Sequence, residues 1–331
     1  MLYPRFKHFI EQKKMFSLGE TLVVGASAGV DSMVLFDLLL KLSHVWKLKL
    51  VLVHVNYKLR GEHSDLDEML VQEKANAASV PFFRFTHTEK SEGNFQEKAR
   101  TFRRSKMEEV LDQQNAACIA LAHHQNDQAE TFLLRLLRGT GLKGLGGMKG
   151  SSLSKSGKKY IRPLLPFTRE EIEAYAEEHK IAYRHDASND DVSYKRNWIR
   201  HEVLQQLKQA NPKIVNHLSH LSSQLREDEE ALEYYVEAAL QKVSISEDFG
   251  KCSLKREIYN SLPKAIRLRL SAAVFQKLFL ESAILSADHR EKIDHIALRK
   301  EGGKAQYFLP LNVLFTRDHE KIYFQKENVS E

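Results

Sequence analysis

The chain has 331 residues, of which 42% are hydrophobic and 28% are charged, the proportions of a globular protein in water. Its length favours two domains. No apolar run reaches the ~20 residues that span a bilayer, and the N-terminal segment carries charges throughout, unlike a secretory signal. Two cysteines, Cys118 and Cys252, lie in different halves. They exclude a CxxC metal or redox motif and suit the reducing cytoplasm.

The net charge of +6 is unevenly distributed. Residues 251–304 contain 12 lysines and arginines against 6 aspartates and glutamates, so the rest of the chain is about neutral. A basic module on a neutral body suits a phosphate-rich partner such as RNA. The alternative is an ordinary solvated surface, because helices rich in lysine and arginine are common.

Strand and helix patterns alternate along the first two thirds of the chain, and the last third changes character. The polar segment 151–159 is expected to be a flexible loop, and the acidic segment 227–233 a solvated part of a connecting helix. We predict helices at 1–16, 31–43, 64–79, 94–113 (capped by Asn94), 168–180, 194–209 and 215–243, basic helices within 254–300, strands at 21–26, 48–55, 81–86, 116–122 and 159–162, and two strands within 306–324.

This alternation predicts βαβ units in an α/β domain, with a Rossmann-like parallel sheet covered by helices on both faces. We place the catalytic domain at residues 1–210 and a smaller, mainly helical and basic domain at residues 211–331. In parallel sheets, ligands bind beyond the carboxyl ends of the strands. Three polar segments follow predicted strands, and we expect them to meet in one crevice: 27–32, 54–60 and 123–130.

The stretch TLVVGASAGVDS, residues 21–32, combines a strand, a turn of small residues and a helix start. The free N–H groups and the dipole of a helix N-terminus attract anions, and Gly29 lets a phosphate approach the backbone. Asp31 stands in place of the lysine of a Walker loop, which makes sense if a Mg²⁺ ion lies between carboxylate and phosphate. The alternative is an ordinary turn with Asp31 and Ser32 as helix caps. The predicted nucleotide-binding residues are Ser27, Ala28, Gly29, Val30, Asp31 and Ser32.

The densest polar cluster is HHQNDQAET, residues 123–131. Asp127 and Glu130 are three residues apart and would share one face of a helix. Together with Asp31 they could hold a magnesium ion or an ammonium group. The adjacent histidines, His123 and His124, raise the alternative of zinc, but no third ligand is evident.

Pairs of arginines one helical turn apart occur twice, as Arg100 with Arg104 and as Arg196 with Arg200. Such forked pairs suit phosphate. Surface salt bridges explain the first pair equally well, and a domain-packing helix is an alternative for the second. Arg138 lies further along the helix that begins near residue 125, on a different arc from the acids.

Taken in order, these motifs resemble those of a known family. SAGVDS is similar to the S-G-G-x-D-S loop of the N-type ATP pyrophosphatases. Further segments resemble successive blocks of the tRNA(Ile)-lysidine synthase family: HVNYKLRGEHSDLDE, NFQEKARTFRR, LAHHQNDQAETFLLRLLRGTGLKGLGGM, IRPLLPFTREEI and DASNDDVSYKRNWIRHEV. The resemblance covers residues 23–203 well and the remainder loosely. Six ordered blocks are far more specific than any one of them.

The resemblance implies a PP-loop ATPase fold and a cytoplasmic, tRNA-modifying ligase that uses ATP and Mg²⁺. ATP would adenylate the C2 oxygen of the wobble cytidine in the CAU anticodon of an isoleucine tRNA, and the ε-amine of L-lysine would then displace AMP. No membrane partner is expected, and the oligomeric state is open, a homodimer included. By motif position, the resemblance implies catalytic roles for Asp31, Arg100, His123, Asp127 and Glu130, metal binding by Asp31 and Asp127, and contacts with tRNA by Arg104, Arg138, Arg196 and Arg200.

The sequence departs from the family pattern at two positions and in length. Ala28 replaces the first glycine of the loop, at a cost of about 1 kcal/mol if that position needs a positive φ. Asn126 stands where the family often has aspartate. The chain ends at Glu331, short of members with a further C-terminal tRNA-binding domain, so we expect that tail to be either naturally absent or truncated.

Two other functions are weighed against lysidine formation. A tRNA 2-thiocytidine sulfurtransferase of the same superfamily would need cysteines near the crevice, where the chain offers only Cys118. A relative that binds ATP and RNA without catalysis is the other alternative, with Ala28 and Asn126 as its evidence.

Overall fold

The computed structural model describes residues 1–59, 61–87, 95–184, 195–246, 250–278, 285–299 and 303–326. The chain divides into two compact units, residues 1–225 and 226–331. The predicted division of function at residue 210 stays a prediction, because compactness reports packing and not activity. Among the described residues, no helix is both long enough and apolar enough to cross a membrane.

The first unit is an α/β structure built on a six-stranded sheet, with strands in the order β3-β2-β1-β4-β6-β5. Its strands are β1 Thr21–Gly25, β2 Lys49–Asn56, β3 Phe82–Thr86, β4 Cys118–Ala120, β5 Ser151–Leu153 and β6 Lys159–Ile161. Its helices are α1 Leu2–Gln12, α2 Val30–Trp46, α3 Glu62–Ala77, α4 Phe95–Gln113, α5 Gln125–Leu136, α6 Leu142–Leu145, α7 Arg169–Glu178, α8 Lys195–Trp198, a π-helical turn Ile199–Val203, α9 Leu204–Ala210 and the first part of α10 Ile214–Leu240.

Five strands of this sheet are parallel, and β1 lies between β2 and β4. Successive side chains of β1 point to opposite faces, so Leu22 and Val24 pack into one buried cluster and Val23 into another. Both faces of the sheet are therefore covered by apolar side chains. The predicted Rossmann-like parallel sheet with helices on both sides is confirmed, and its carboxyl-end edge brings the loops after β1, β2 and β4 together.

Two local predictions for this unit need correction. The segment 151–159 is not simply a flexible loop, because β5 pairs antiparallel with β6 as a hairpin. The helix predicted at 194–209 contains the π-helical turn Ile199–Val203 between α8 and α9; such turns widen a helix locally and are frequent at functional sites. The predicted cap Asn94 lies outside the described residues.

The second unit contains a five-stranded antiparallel sheet in the order β7-β8-β11-β10-β9, with helices on one face. Helices are the more extensive element among its described residues, as predicted, but the strands are more numerous than predicted. Three strands, not two, follow residue 304, and β8 occupies the start of the segment predicted as basic helices. The elements are β7 Ser244–Ser246, β8 Lys251–Lys255, α11 Arg256–Ser261, α12 Lys264–Leu278, α13 Ala287–Leu298, β9 Ala305–Leu309, β10 Val313–Arg317 and β11 Lys321–Lys326.

Part of the basic surplus in the second unit is used internally. The Arg267 guanidinium donates to both carboxylate oxygens of the buried Asp294, at 2.6 and 3.0 Å. Arg269 pairs at 2.7 Å with Glu229, which is buried. The acidic segment 227–233 is therefore not purely a solvated connector, as the sequence suggested, because Glu229 anchors α10 to α12.

Candidate nucleotide and substrate site

The turn between β1 and α2 is closed by serine hydroxyls. Ser32 Oγ accepts the N–H of Ser27 at 3.1 Å and donates to Gly29 O at 2.9 Å, and its side chain is almost fully buried. Gly29 is the N-cap of α2 in an extended conformation, and a Cβ there would meet only Ser27 Oγ, at 3.6 Å. Ser32 thus shapes the turn, while the open space at Gly29 and the first N–H groups of α2 offer an anion its contacts.

Ala28 adopts the left-handed conformation that the family's glycine would favour. Its φ is +63° and its side chain is fully buried. The carbonyl of Ala28 accepts the N–H of Arg184 at 2.9 Å, and the Arg184 guanidinium bonds Asp67 of α3 at 2.8 Å. The backbone strain of about 1 kcal/mol expected for a methyl at this position is therefore present, and surrounding contacts hold the turn in place.

Asp31 lies in the first turn of α2 with its two carboxylate oxygens in different environments. Oδ2 accepts a hydrogen bond from Arg169 Nη1 at 2.6 Å. Oδ1 is buried without a hydrogen-bond partner, and His124 Nε2 lies 3.6 Å from it. Burial raises the pKa of Asp31, with His124 and Arg169 opposing the shift. A buried, unpartnered carboxylate oxygen is a site that a cation would satisfy.

The two acids of α5 are already paired with arginines. Glu130 is 1% exposed, and its oxygens accept from Arg196 Nε at 2.7 Å and Arg200 Nε at 2.6 Å. Asp127 accepts from Arg196 Nη2 at 2.7 Å and from the N–H of His124 at 3.0 Å. Burial would raise the pKa of Asp127, but His124 and Arg196 outweigh it and hold the pKa well below its usual range.

Acidic and basic side chains therefore form a continuous network that connects the turn after β1 with the helix around the π-helical segment. His124 Nε2 stands between the two aspartates, 3.6 Å from Asp31 Oδ1 and 3.5 Å from Asp127 Oδ2. The π-helical turn Ile199–Val203 lies just after Arg196 and includes Arg200. Both guanidinium groups reach the same buried carboxylate, Glu130. The network fixes the acids relative to the nucleotide turn.

A cavity of about 190 Å³ opens beside the turn. Polar groups of the turn, together with His123 and Arg103, form one part of its wall, and apolar side chains form the rest. This is the mixed lining expected for a nucleotide with a flat base and a charged phosphate chain. The lining residues are Gly25, Ala26, Ser27, Asp31, Ser32, Val53, Val55, Tyr57, Arg103, Met107, Leu121, Ala122 and His123.

Three arginines of α4, and Arg162 directly after β6, lie near this cavity. Burial lowers the pKa of Arg100, and the neighbouring Arg104 and Arg103 lower it further. Arg162 is 6% exposed; burial and then Arg104 and Arg100 lower its pKa to about 10. In the part of the chain that the structure describes, none of these four arginines forms an ion pair with a carboxylate. Unneutralised arginines that repel one another are a binding environment for anions.

His123 is held neutral at physiological pH. Burial lowers its pKa to about 3; Asp127 opposes this shift, while Arg162 and Arg196 reinforce it. Its Nδ1 atom is buried without a hydrogen-bond partner. A neutral imidazole in the cavity wall can bind or orient a polar ligand atom, but it is not a cation for phosphate.

The donor set of the site suits a hard divalent cation only in part. No group of three or more histidine, cysteine or acidic residues with metal-ligand geometry occurs among the described residues, which leaves zinc unsupported there. Mg²⁺, however, is commonly bound by one or two carboxylates together with phosphates and water. The unpartnered Oδ1 of Asp31 fits that requirement, whereas both oxygens of Asp127 already accept hydrogen bonds.

The structure brings most of the predicted site residues together. The nucleotide turn, His123 and Asp31 border one cavity, and Asp127, Glu130, Arg196 and Arg200 form the adjoining network. Arg104 instead stacks its guanidinium on Tyr160, 5.0 Å from the ring centre. Arg138 lies just beyond the end of α5 and is exposed. Their predicted contacts with tRNA stay predictions.

Several residues of the site were not singled out from the sequence. Arg169 follows the helix cap Thr168 and is 138 residues from Asp31, so no local pattern links the two. Met107 lines the cavity through tertiary packing alone, whereas Tyr57 belongs to the segment 54–60 that was expected to reach the crevice. Arg103 had a usable signal, because it lies between Arg100 and Arg104 in a run of basic residues.

Together, the parallel sheet, the anion-binding turn at the end of its central strand and the adjoining cavity define a nucleotide-binding α/β protein. The PP-loop domain family matches residues 2–207. The chain is 36% identical to the tRNA(Ile)-lysidine synthase of Geobacter sulfurreducens, over 97% of this chain and 68% of that protein. It is 30% identical to the protein of the same name from Geobacillus kaustophilus, over 98% and 70%. The chain belongs to the tRNA(Ile)-lysidine synthase family of PP-loop, ATP-binding proteins.

A solved structure supports the fold independently. The U34-tRNA thiolase NcsA from Methanococcus maripaludis, which carries a [4Fe-4S] cluster, matches with a TM-score of 0.56 at 16% identity, over 68% of this chain and 78% of that one. The likeness concerns the fold alone. Here Cys118 is fully buried in β4 and burial raises its pKa to about 12, so that this thiol is neither accessible nor ionised.

Proposed function

We propose that the protein is a tRNA(Ile)-lysidine synthase that joins L-lysine to the wobble cytidine of the CAU-anticodon isoleucine tRNA. In the first step, the C2 oxygen of the cytidine attacks the α-phosphorus of ATP, and pyrophosphate leaves. In the second, the ε-amine of lysine attacks C2, AMP departs with the oxygen, and the amine loses its proton. The observation that carries the proposal is the similarity along nearly the whole chain to proteins of this name.

The turn after β1 would bind the β- and γ-phosphates of ATP. The N-terminal N–H groups of α2 supply hydrogen bonds and a favourable dipole, and Ser32 keeps the turn closed through its bonds to Ser27 and Gly29. The base would lie against the apolar wall near Val53 and Val55. Binding the pyrophosphate portion in this way stabilises the charge that develops on the leaving group.

Asp31 would hold Mg²⁺ through Oδ1, while Arg169 fixes Oδ2 and so orients the carboxylate. Asp127 is the second proposed metal ligand, from its place in the motif. When bound, Mg²⁺ neutralises phosphate charge and polarises the bond that breaks. The chain's own contribution is a carboxylate beside the cavity, with one of its oxygens left without a hydrogen-bond partner.

Asp127 and Glu130 are the proposed site for the cationic groups of lysine. Both are charge-balanced by Arg196 and Arg200 in this structure, so the lysine ammonium would take over contacts that Arg196 now makes. Arg196 is the more exposed partner, with two fifths of its side chain open to solvent. Its displacement would free a guanidinium group for the RNA backbone or the phosphate of AMP.

The remaining arginines and the second unit would bind the tRNA. Arg104 and Arg138 are proposed RNA contacts in the first unit, and the uncommitted cations of residues 251–304 are proposed contacts in the second. Arg100 keeps its proposed catalytic role. The proposed place of the reaction is the cytoplasm. The catalytic role is assigned to residues 1–210, and RNA binding to 211–331.

Turnover with defined transcripts tests the proposal. The protein is incubated with ATP, Mg²⁺, lysine and an isoleucine tRNA transcript with anticodon CAU, or with the same transcript carrying GAU. We expect pyrophosphate release and lysine incorporation at the wobble position only with CAU. Binding of the transcript without either product would instead support the non-catalytic alternative, and sulfur incorporation in the presence of a sulfur donor would support a thiolase.

A further inference from the structure

The outer face of the second unit's sheet, opposite its helices, has an unusual composition. Side chains alternate between faces along each strand, and Cys252, Leu254, Phe315 and Phe324 are buried in the core beneath the helices. The alternate positions form the outer face. They are Lys251, Ser253 and Lys255 on β8, Gln306 and Phe308 on β9, Leu314 and Thr316 on β10, and Lys321, Tyr323 and Gln325 on β11.

The strand register arranges these side chains in cross-strand rows. Phe308 pairs with Leu314, Leu314 with Gln325, and Gln325 with Lys251. This row crosses four strands, a width of about 14 Å. The next row runs through Gln306, Thr316, Tyr323 and Ser253, and the last pairs Lys321 with Lys255.

The exposed aromatic residue lies at one end of the first row. Phe308 is 68% exposed, although phenylalanine is among the residues most often buried. At the other end, Lys251 Nζ lies 4.5 Å from the centre of the Tyr323 ring. The Phe308 ring is thus open for stacking, whereas the Tyr323 ring already contacts the Lys251 ammonium group.

The charged side chains that the strands themselves place on this face are all lysines. Strands β8, β9, β10 and β11 contain no aspartate or glutamate, and Lys251, Lys255 and Lys321 project from the outer face. Asp318, in the turn between β10 and β11, accepts the N–H groups of Glu320 and Lys321 through Oδ1 and also accepts a hydrogen bond from the Tyr323 hydroxyl of this face. A sheet face whose strands carry lysines and no acidic residue, with an open aromatic ring at one edge, fits a strand of RNA.

We infer that this outer face binds the substrate tRNA, with an unpaired base stacked on Phe308 and phosphates paired with Lys251, Lys255 and Lys321. The inference rests on the proposed function for the identity of the RNA. It deepens that function by assigning the binding surface to a sheet, whereas the sequence pointed to basic helices. A protein partner on the same face would need acidic groups opposite the lysines and is the competing outcome.

The test measures binding of the CAU transcript by the full chain, together with turnover. Phe308→Ala is expected to weaken affinity about five-fold or more, the effect of losing one stacked base. The double variant Lys251→Gln, Lys255→Gln is expected to lower the slope of log affinity against log salt by roughly 1.4–1.8, as two phosphate contacts would. With saturating tRNA, turnover should match the wild type, because these residues do not belong to the site in the first unit.

Matched controls lie elsewhere in the same unit. Tyr234 on α10 is 70% exposed, and Lys242, just after α10, is exposed; Tyr234→Ala and Lys242→Gln should bind tRNA like the wild type. Wild-type affinity and salt slope in the sheet-face variants, with lysidine still formed, would overturn the inference and leave the proposed function intact. Loss of self-association in Phe308→Ala with unchanged tRNA binding would show a protein interface instead and would also overturn it.

Discussion

The two oxygens of the Asp31 carboxylate differ in their surroundings, and that difference is the most specific feature of the site. Arg169 holds Oδ2 at 2.6 Å, and Oδ1 is buried without a partner. An uncompensated buried oxygen costs free energy in the unliganded protein. Binding a cation together with ATP would recover that cost.

We therefore expect Asp31→Asn to abolish the effect of Mg²⁺ on ATP binding. Dissociation constants measured with Mg²⁺ and with EDTA should differ clearly for the wild type and become similar for the variant, because the amide cannot replace the charge of the carboxylate. Asp37→Asn on the same helix is the matched control, since Asp37 pairs with Lys41 and Tyr175. A retained Mg²⁺ effect in Asp31→Asn would remove Asp31 from the metal site.

Ala28 allows a direct measurement of strain in the nucleotide turn. Ala28→Gly removes about 1 kcal/mol of left-handed strain but also loses a buried methyl worth about 0.8 kcal/mol and loosens the unfolded chain. We expect a free energy of unfolding within about 1 kcal/mol of the wild type. Ala28→Val should cost more than about 2 kcal/mol, because a branched side chain at positive φ would also overpack the core. Equal thermal stability of the two variants would contradict the assigned turn geometry.

His123 should make the protein less stable at acidic pH. Its folded-state pKa of about 3 lies below the unfolded value of 6.5, so the unfolded state binds the extra proton between these values. Stability is then lost as pH falls below about 6.5, by up to about 1.4 kcal/mol per pH unit. His123→Gln should flatten the dependence of the melting temperature on pH between 7 and 5, whereas the exposed His8→Gln should not. Parallel curves for His123→Gln and the wild type would refute the burial of a neutral imidazole.

At the scale of elements, the glycine-rich segment after α5 is clamped to that helix. Gln128 accepts the N–H of Met148 at 2.8 Å and donates to Ser222 Oγ at 2.8 Å. A Cβ on Gly147 would lie 2.2 Å from Gln128 Nε2 and 2.6 Å from Ser222 Oγ. The segment thus supports the helix that carries Asp127 and Glu130, and at Gly147 there is no room for a side chain.

Two glycines with the same backbone conformation separate strain from packing. Gly139 and Gly147 have φ of +68° and +66°, but a Cβ on Gly139 meets nothing within 4 Å. Gly139→Ala should cost about 1 kcal/mol, and Gly147→Ala a further 1–3 kcal/mol from overpacking. In thermal unfolding, each kcal/mol corresponds to roughly 2–4 °C for a unit of this size. Equal melting temperatures would contradict the close packing at Gly147.

The sequence predicted the elements whose patterns are strong and local. The apolar strands β1 and β2 and the amphipathic helices follow from periodicity, and the capping residue Thr168 indicates where α7 begins. The hairpin strand β5 and the edge strand β7 are three polar-rich residues each, too short for a periodic signal. They become strands only because a neighbouring strand accepts and donates their hydrogen bonds.

The candidate site, too, could be predicted only where the signal is local or follows from topology. Topology alone brought the turn, His123 and the acids to one edge of the sheet, as the sequence predicted. The pairing of Glu130 with Arg196 and Arg200 spans 66 and 70 residues, and nothing in the local pattern selects these partners over solvent. The sequence therefore indicated which residues carry charge, but not that Asp127 and Glu130 are neutralised by two of the four predicted RNA contacts.

At the scale of the whole molecule, we propose a nucleotide site in the first unit and RNA contacts in both units. The first unit contains the features that the proposed reaction needs, namely the buried Asp31 carboxylate oxygen, the cavity and the arginines without carboxylate partners. The second unit carries a basic surplus, of which Arg267 and Arg269 are committed to internal acids. The cations left for RNA are therefore mostly lysines, for which we expect binding that depends strongly on salt.

The central claim is that the turn bearing Asp31 binds the pyrophosphate portion of ATP. A crystal structure of the protein with Mn²⁺ and a non-hydrolysable ATP analogue tests it most directly, because anomalous scattering locates the metal. We predict that the phosphates lie against the first turn of α2, that the metal lies beside Asp31 Oδ1, and that the base lies in the cavity near Val53. A triphosphate bound at another surface of the protein, with no metal at Asp31, would contradict it.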